Sequence, residues 1–228
     1  MTAISDLLVS VSIGNPARHG RLEVFPLFAA TRETAAFILL DEALAAKAVD
    51  VTETSEQGAV PVLKLLSRSP MPVLLLDGEE LVGAKQNRIL NASILAPAGA
   101  DMLLPVSCVE QGRWRYSSHS FRAADHALFA KARARKASRM AALHERKRAV
   151  GESEAHYVAR SFDADQQEVW SDVSAKLSRM AVDSVSSAIS EGYERYGERL
   201  REFEAALTPV PGQRGAAFAL DGRIVGIE

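Results

Sequence analysis

The chain has 228 residues, of which 47% are hydrophobic, and this is enough apolar material for a sizeable globular core. Its 27 Lys and Arg residues nearly balance 29 Asp and Glu residues, so the net charge of −2 excludes a general attraction to nucleic acid or anionic lipid. A lone cysteine, Cys108, excludes an internal disulfide, and no apolar run approaches the roughly 18–20 residues of a membrane span. We therefore expect a globular cytoplasmic protein without an anchor or a targeting segment.

The N-terminal half is predicted to consist of short strands with one short helix between them. Runs rich in β-branched and aromatic residues, bounded by Gly, Pro or charges, indicate strands at residues 22–28, 37–40, 61–66, 73–76 and 102–110. Residues 41–49 form the predicted helix. Residues 88–95 alternate between apolar and polar side chains, which predicts one half-buried strand.

From about residue 123 the apolar spacing changes to a helical period. A helix is predicted to begin near Asp163, because Gln166 follows at the spacing of a capping box. A second helix is predicted over residues 185–207. The last residues predict a β-hairpin with Asp221-Gly222 as its turn.

Together these elements predict an α+β fold in a single domain, residues 1–228. A β-rich sheet or sandwich-like core over about residues 1–120 precedes a helical segment over about residues 123–207, and a hairpin at 214–228 closes the chain.

The first polar block runs from Gly78 to Asn91. Extending the strand alternation backwards from Leu90 places Gln86 and Arg88 on the buried side, where they cost free energy unless they are paired. One interpretation is a charged β-turn that leads into a strand edge. The other is a loop that lines a cavity, with Glu80 as a candidate catalytic carboxylate and these candidate ligand-binding residues: Glu79, Lys85, Gln86, Asn87, Arg88 and Asn91.

The second polar block is residues 107–114. Glu110 is a candidate general base, and the candidate ligand contacts are Gln111, Arg113 and Trp114. Gly112 would turn the last two toward a site through a positive backbone φ. Cys108 is either a small apolar strand residue or a nucleophile, and a nucleophile would need a base from elsewhere in the fold.

The sequence gives little support for a metal, cofactor or nucleic-acid site. The histidines do not have the spacing of metal ligands, and the glycine-rich nucleotide and dinucleotide motifs are missing, so we expect neither a metal nor a cofactor. Residues 131–148 are strongly basic, which is typical either of a nucleic-acid contact or of a solvated helix. We expect the solvated helix and no nucleic-acid binding.

Both polar blocks, together with the stretch 20–28 and the final strand, resemble the ARG and rhodanese–phosphatase-superfamily-associated protein domain family. The family is associated with ADP-ribosylglycohydrolases and rhodanese-like phosphatases, so the resemblance implies a role around NAD-derived or ADP-ribosylated compounds. Related sequences continue past the final strand, which implies that this chain is short at its C terminus.

The two polar blocks and the resemblance lead to one hypothesis and two alternatives. The hypothesis is that the blocks form one cleft for a small anionic ligand of the ADP-ribose or nucleotide type, with the arginines and Lys85 on phosphates, the carboxylates on ribose hydroxyls and Trp114 on a base. The first alternative is a non-catalytic adaptor whose amphipathic helices recruit a partner enzyme or a second copy of the chain. The second is a nucleic-acid binder that uses residues 131–148.

Overall fold

A computed structural model describes residues 9–30, 36–150 and 165–228, with only the backbone for 140 and 143–150. Within these residues the chain forms 14 strands and five helices. The strands are β1 (Ser12–Ile13), β2 (Ala17–His19), β3 (Leu22–Phe28), β4 (Ile38–Leu39), β5 (Val49–Thr52), β6 (Val62–Ser67), β7 (Val73–Leu75), β8 (Glu79–Gly83), β9 (Arg88–Leu90), β10 (Ile94–Ala96), β11 (Asp101–Cys108), β12 (Phe121–Ala127), β13 (Gly215–Leu220) and β14 (Arg223–Ile227). The helices are α1 (Leu40–Ala45), α2 (Ala130–Val150), α3 (Gln166–Arg179), α4 (Ile189–Arg195) and α5 (Gly197–Ala206). This confirms the predicted α+β class with its closing hairpin.

The chain folds as two compact units. The first contains the described residues of Met1–Ala35 together with Tyr196–Glu228. Its five-stranded sheet has the order β1-β3-β13-β14, with β2 added to β3. The hairpin of β13 and β14 turns at Asp221 and Gly222, whose φ angles of 50° and 74° suit the tight turn that the sequence predicts.

The second unit, Ala36–Arg195, contains both polar blocks. Its six-stranded sheet has the order β12-β8-β9-β11-β6-β5 with antiparallel pairs throughout, and a smaller sheet has the order β10-β7-β4. Strands β12 and β5, at the two edges of the larger sheet, also contact each other, so this sheet curls around its apolar face.

The second unit has an apolar cluster on each side of β9. Leu90 belongs to the cluster that the curled sheet encloses, and Ile89 belongs to the cluster that α3 and α4 cover. Because side chains alternate along a strand, Arg88 shares the face of Leu90. A strand that is buried on both sides explains why β9 carries a fully buried arginine.

Four predicted elements differ in the structure. The helical segment predicted from about residue 123 begins only at Ala130, because residues 121–127 pair with β8 as strand β12. The strand predicted over 88–95 is wrong: the chain leaves β9 at Asn91, whose amide donates to Pro105 O, and continues as β10 in the other sheet. The helix predicted over 185–207 is two helices, and Val185 is fully exposed. Asp165, not Asp163, caps α3 through the amides of residues 167 and 168, and Asp163 lies outside the described residues.

Among the described residues, no helix is both long enough and apolar enough to cross a bilayer.

Candidate functional site

The two polar blocks meet on adjacent strands. Strand β9 lies between β8 and β11, and Arg88 pairs with Leu81 on one side and with Cys108 on the other. This register brings the residues just before β9 next to those just after β11. The two blocks are therefore neighbours in space although about twenty residues separate them in sequence.

Asn87 is the centre of the contact between the blocks. Its backbone amide donates to Glu110 Oε2 at 3.0 Å, and its side-chain Nδ2 donates to Glu80 Oε1 at 3.1 Å and to Ser190 Oγ at 3.3 Å. Its Oδ1 accepts from Arg113 Nη2 at 3.1 Å. One buried asparagine, through its backbone and side-chain amides, thus joins both candidate catalytic carboxylates and one candidate arginine.

Arg113 and Glu110 bind each other and the backbone of the first block. Arg113 Nη2 lies 2.6 Å from Glu110 Oε2, and Arg113 Nη1 donates to Ala84 O at 2.6 Å. The carbonyl of Gly83 accepts from Nη2 as well. Ala84 has a φ of 39°, and Arg113 holds this left-handed turn in place. In this structure Glu110 and Arg113 position the loop; their proposed roles toward a ligand stay predictions.

The hydrogen bonds around Asn87, Glu80, Glu110 and Arg113 form one network, and Arg88 lies at one end of it. Two of the hydrogen-bond donors of Arg88 have no acceptor among the described residues. Its side chain is 0% exposed and its Nη1 donates to Gln86 Oε1 at 2.6 Å. Within the described part of the chain, Nε and Nη2 have no hydrogen-bond partner, and neither do the carboxylate oxygens of Glu53. The nearest approach of these two groups, Nη2 to Oε1, is 3.9 Å, which is beyond hydrogen-bond distance.

Four further side chains lie at or near this Arg88 end. Burial raises the pKa of Cys108, against the opposing effects of the Glu110 amide, the Arg88 guanidinium and the Trp170 indole. Trp170 Nε1 is buried and unpartnered among the described residues. Trp114 is 48% exposed, and its ring centroid lies 5.6 Å from Arg88 Cζ. Lys85 Nζ lies over the same ring and donates to Gln57 O at 2.9 Å.

At the other end of the network, Glu80 accepts from a histidine. Glu80 Oε2 lies 2.8 Å from His126 Nε2, and the carboxylate side chain is 0% exposed. The His126 ring stacks on Tyr193 with 4.2 Å between centroids. Burial and the nearby Glu80 charge raise the pKa of Tyr193 to about 12, so its hydroxyl stays protonated and donates to Ala127 O.

Glu80 and His126 line a cavity of about 680 Å³ between α1, β8 and β12. Glu79 also lines it, and burial, together with the nearby Asp41 charge, raises the pKa of the Glu79 carboxyl against a backbone hydrogen bond from Leu76. No group of three or more His, Cys, Asp or Glu side chains suited to a metal ion occurs among the described residues.

The remaining predicted contacts are not all gathered at one point. Asn91 accepts from Ser107 Oγ at 2.9 Å inside the sheet, and Gln111 is exposed. The prediction for Gly112 is wrong: its φ is not positive. Gly112 instead allows a close backbone approach, because a Cβ there would lie 2.9 Å from Ser186 Cα.

Sequence reasoning missed Glu53, His126 and Trp170. Glu53 and Trp170 lie far along the chain from both polar blocks, and His126 lies on a different strand from either block, so only the sheet order and the packing of α3 bring the three close. A lone Glu, His or Trp within an ordinary local pattern gives no signal of its own.

Three side chains in the described part of the basic run form ion pairs. Helix α2 carries the run through residue 148, although the side chains of 143–148 lie outside the described residues. Arg135 pairs with Asp172 and Arg139 with Glu168, which ties α2 to α3, while Lys136 is buried against Asp77 and Leu90 O. The expectation of no nucleic-acid binding stays a prediction.

Searches among curated proteins and among solved structures found no match. A family model described as the ARG and Rhodanese-Phosphatase-superfamily-associated Protein domain matches residues 10–228. The match covers nearly the whole sequence, and the chain belongs to this family.

Proposed function

We propose that the unit Ala36–Arg195 binds a small anionic ligand that carries hydroxyl groups, at the pair formed by Arg88 and Glu53. One observation supports this: Nε and Nη2 of the buried Arg88 guanidinium and both oxygens of the buried Glu53 carboxylate lack hydrogen-bond partners within the described residues. Buried polar groups in folded proteins are nearly always satisfied, and a charged group left without a partner costs more than a neutral one. A ligand that satisfies both groups would gain that free energy on binding.

The two groups define the chemistry of the ligand. Arg88 Nε and Nη2 are the adjacent donors of a guanidinium fork, which suits two oxygens of a phosphate or carboxylate. Glu53 accepts only, so it requires a hydroxyl or amine donor. A phosphate next to a ribose diol supplies both within a few ångströms. This is the chemistry of ADP-ribose, the ligand class that the family resemblance implies.

Trp114 and Lys85 suit the outer part of such a ligand. Trp114 is half-exposed, and Lys85 Nζ lies 5.4 Å from its ring centroid. An exposed indole stacks on a nucleobase, and an ammonium next to it neutralises a second phosphate. Because the Arg88 side chain is 0% exposed, we propose that Trp114 and the loop at 54–60 shift when the ligand enters.

The test is a thermal-shift titration of the whole chain with ADP-ribose, NAD and AMP. A ligand that binds only the folded state raises Tm with concentration, by about 2.7 kcal/mol of stability at one hundred times Kd. We expect ADP-ribose to give the largest shift. Two variants should weaken binding: Arg88→Lys, which keeps the charge but loses the fork, and Glu53→Gln. We expect each to raise the apparent Kd for ADP-ribose at least about tenfold.

Arg115→Lys is the matched control, because Arg115 is exposed and its side chain forms no hydrogen bond or ion pair with the described residues. It should titrate like the wild type. If a high concentration of ADP-ribose leaves Tm unchanged, the proposal is overturned and the adaptor interpretation remains. An equal shift in wild type and Arg88→Lys, or a loss of the shift in Arg115→Lys, overturns the assignment to Arg88.

A further inference from the structure

We infer that His126 is a general base, oriented by Glu80, for the attack of water on a neutral or cationic substrate in the 680 Å³ cavity. The inference uses the end of the network away from Arg88, and it does not depend on the ligand proposed for the Arg88–Glu53 pair. His126 would touch the reacting water, and Glu80 is its positioning residue.

The histidine ring is held from two sides. Glu80 Oε2 lies 2.8 Å from Nε2, and Asn87 fixes the carboxylate by donating to its other oxygen at 3.1 Å. The Tyr193 ring stacks on the imidazole with an interplanar angle of 30°. Tyr193 is itself fixed, because its hydroxyl donates to Ala127 O at 3.0 Å. A general base needs this kind of fixed orientation, which lets it meet a substrate without reorganisation.

The contact with Glu80 also sets the tautomer. A carboxylate only accepts hydrogen bonds, so Nε2 of a neutral His126 carries the hydrogen and Nδ1 keeps the lone pair. No hydrogen bond reaches Nδ1 from the described part of the chain, the side chain is 20% exposed, and the residue lines the cavity. This is the arrangement of a carboxylate–imidazole pair in which the carboxylate stabilises the imidazolium that forms.

The charges of the cavity select the substrate. Asp41, Glu79 and Asp125 line it with Glu80 and His126, while Arg122 is its one cationic side chain among the described residues. An anion would be repelled from these walls, and a neutral or cationic molecule would not. The volume suits a small organic substrate, since ligand pockets commonly measure about 300–1,000 Å³.

The proposed step is the hydrolysis of an ester-like carbonyl. His126 Nδ1 takes one proton from water as the water oxygen bonds to the carbonyl carbon, and the carbon–oxygen bond to the leaving alkoxide then breaks. The electron pair of that bond leaves with the alkoxide oxygen. The imidazolium, balanced by Glu80, returns its proton to the leaving group or to solvent, so one water is consumed for each ester cleaved.

The first test begins with the wild-type chain. Nitrogen–proton correlation NMR of the wild-type chain at alkaline pH should show His126 in the Nε2–H tautomer. In Glu80→Gln that tautomer should lose its dominance, because the amide also presents a donor. A wild-type His126 that carries its hydrogen on Nδ1 overturns the inference, whether or not any variant folds.

The second test follows the hydrolysis of p-nitrophenyl acetate, a neutral ester. General-base catalysis contributes about 10²–10⁴-fold, so we expect His126→Asn to lose at least about 10²-fold in kcat/KM. Glu80→Gln should lose at least about tenfold and change the pH profile, which a merely structural contact would not do. The control is His119→Asn, an exposed histidine outside this cavity, and it should match wild type. Equal rates in wild type and a folded His126→Asn overturn the inference.

The two proposals fail independently. If both are correct, Arg88→Lys loses the ADP-ribose shift but keeps ester hydrolysis, and His126→Asn loses ester hydrolysis but keeps the ADP-ribose shift. Hydrolysis that survives in His126→Asn but disappears in Arg88→Lys contradicts the second proposal alone.

Discussion

Arg88 Nη2 lies 3.9 Å from Glu53 Oε1, and the side chains are 0% and 3% exposed. The two groups attract each other without forming a hydrogen bond. Burial lowers the pKa of Arg88, while Cys108 and Glu53 act in the opposite direction. The guanidinium starts from such a high pKa that it remains charged at neutral pH, so two opposite charges lie buried and incompletely satisfied.

Removing one partner of this pair should destabilise the fold strongly. Arg88→Met or Glu53→Met leaves the other charge buried alone, and we expect each to cost about 3–5 kcal/mol in urea unfolding. The double variant should cost less than the sum, because no uncompensated charge remains. The control is the exposed pair of Lys64 and Asp101, 3.1 Å apart, for which Lys64→Met should cost under about 1 kcal/mol. Equal losses for Arg88→Met and Lys64→Met would contradict this account.

Asn87→Asp should introduce a stability loss that grows with pH. The new carboxyl would lie against Glu80, whose Oε1 now accepts from Asn87 Nδ2 at 3.1 Å, and close to Glu110. Burial and these like charges raise its pKa in the folded state above the unfolded value, and Arg113 offsets them only in part. A raised carboxyl pKa means that stability is retained at low pH and lost as pH rises through the folded pKa.

Urea unfolding of Asn87→Asp and wild type from pH 4 to pH 8 checks this, with Gln111→Glu as the exposed control. We expect the difference in free energy of unfolding to reach about 2–4 kcal/mol at the upper end, since buried partners are also left unsatisfied. A difference that is constant with pH, or one that shrinks as pH rises, would be incompatible with the proposed charge repulsion.

Local patterns were sufficient to predict much of the second unit. The strands near 61–66 and 73–76 follow from their apolar runs, and the burial of Gln86 and Arg88 follows from alternation out of Leu90. The break in the strand at Asn91 cannot be predicted from the local pattern. It depends on the hydrogen bond that the Asn91 amide donates to Pro105 O, and Pro105 lies on another strand. Over so few residues, a half-buried strand has the same sequence pattern as a strand that is buried on both faces and ends where the chain turns into another sheet.

The candidate site was only half predictable for the same reason. Glu80, Asn87, Glu110 and Arg113 stand out because polar residues interrupt apolar strands. Glu53 and His126 complete the two ends of the network, yet neither interrupts a local pattern. Their positions depend on the contact of β12 with β8 and on the end of β5, which are long-range features of the sheet.

Gly112→Ala should destabilise the loop after β11 even though its backbone needs no positive φ. A Cβ would lie 2.9 Å from Ser186 Cα and 3.1 Å from Ser186 O, and backbone atoms cannot move aside as a side chain can. The amide of Gly112 also donates to Ser186 O at 2.7 Å. We expect a loss of about 1–3 kcal/mol by urea unfolding, against under about 0.5 kcal/mol for the exposed neighbour Gln111→Ala. A Gly112→Ala protein as stable as Gln111→Ala would show that this approach is not close in solution.

Cys108 should be unreactive in the folded protein. The residue is 0% exposed, and burial raises the pKa of its thiol, although the Glu110 amide and the Arg88 guanidinium act against that rise. The thiolate is the reactive species, so both access and ionisation disfavour reaction at neutral pH. It is the only cysteine of the chain, so every labelling event measured with a thiol reagent such as 5,5′-dithiobis(2-nitrobenzoate) reports on it.

We expect labelling of the native chain at neutral pH to be at least about 100-fold slower than labelling in urea, because the thiol must wait for local opening. Raising the pH should speed native labelling, because the thiolate fraction of the opened state rises as the pH approaches the ordinary pKa of a thiol. Arg88→Met should label faster than the wild type, because its loss of stability makes the opening that exposes the thiol more frequent. Native labelling as fast as that of the unfolded chain would instead mean that the guanidinium and the Trp170 indole stabilise an accessible thiolate, and Cys108 would then become the leading candidate nucleophile next to Arg88.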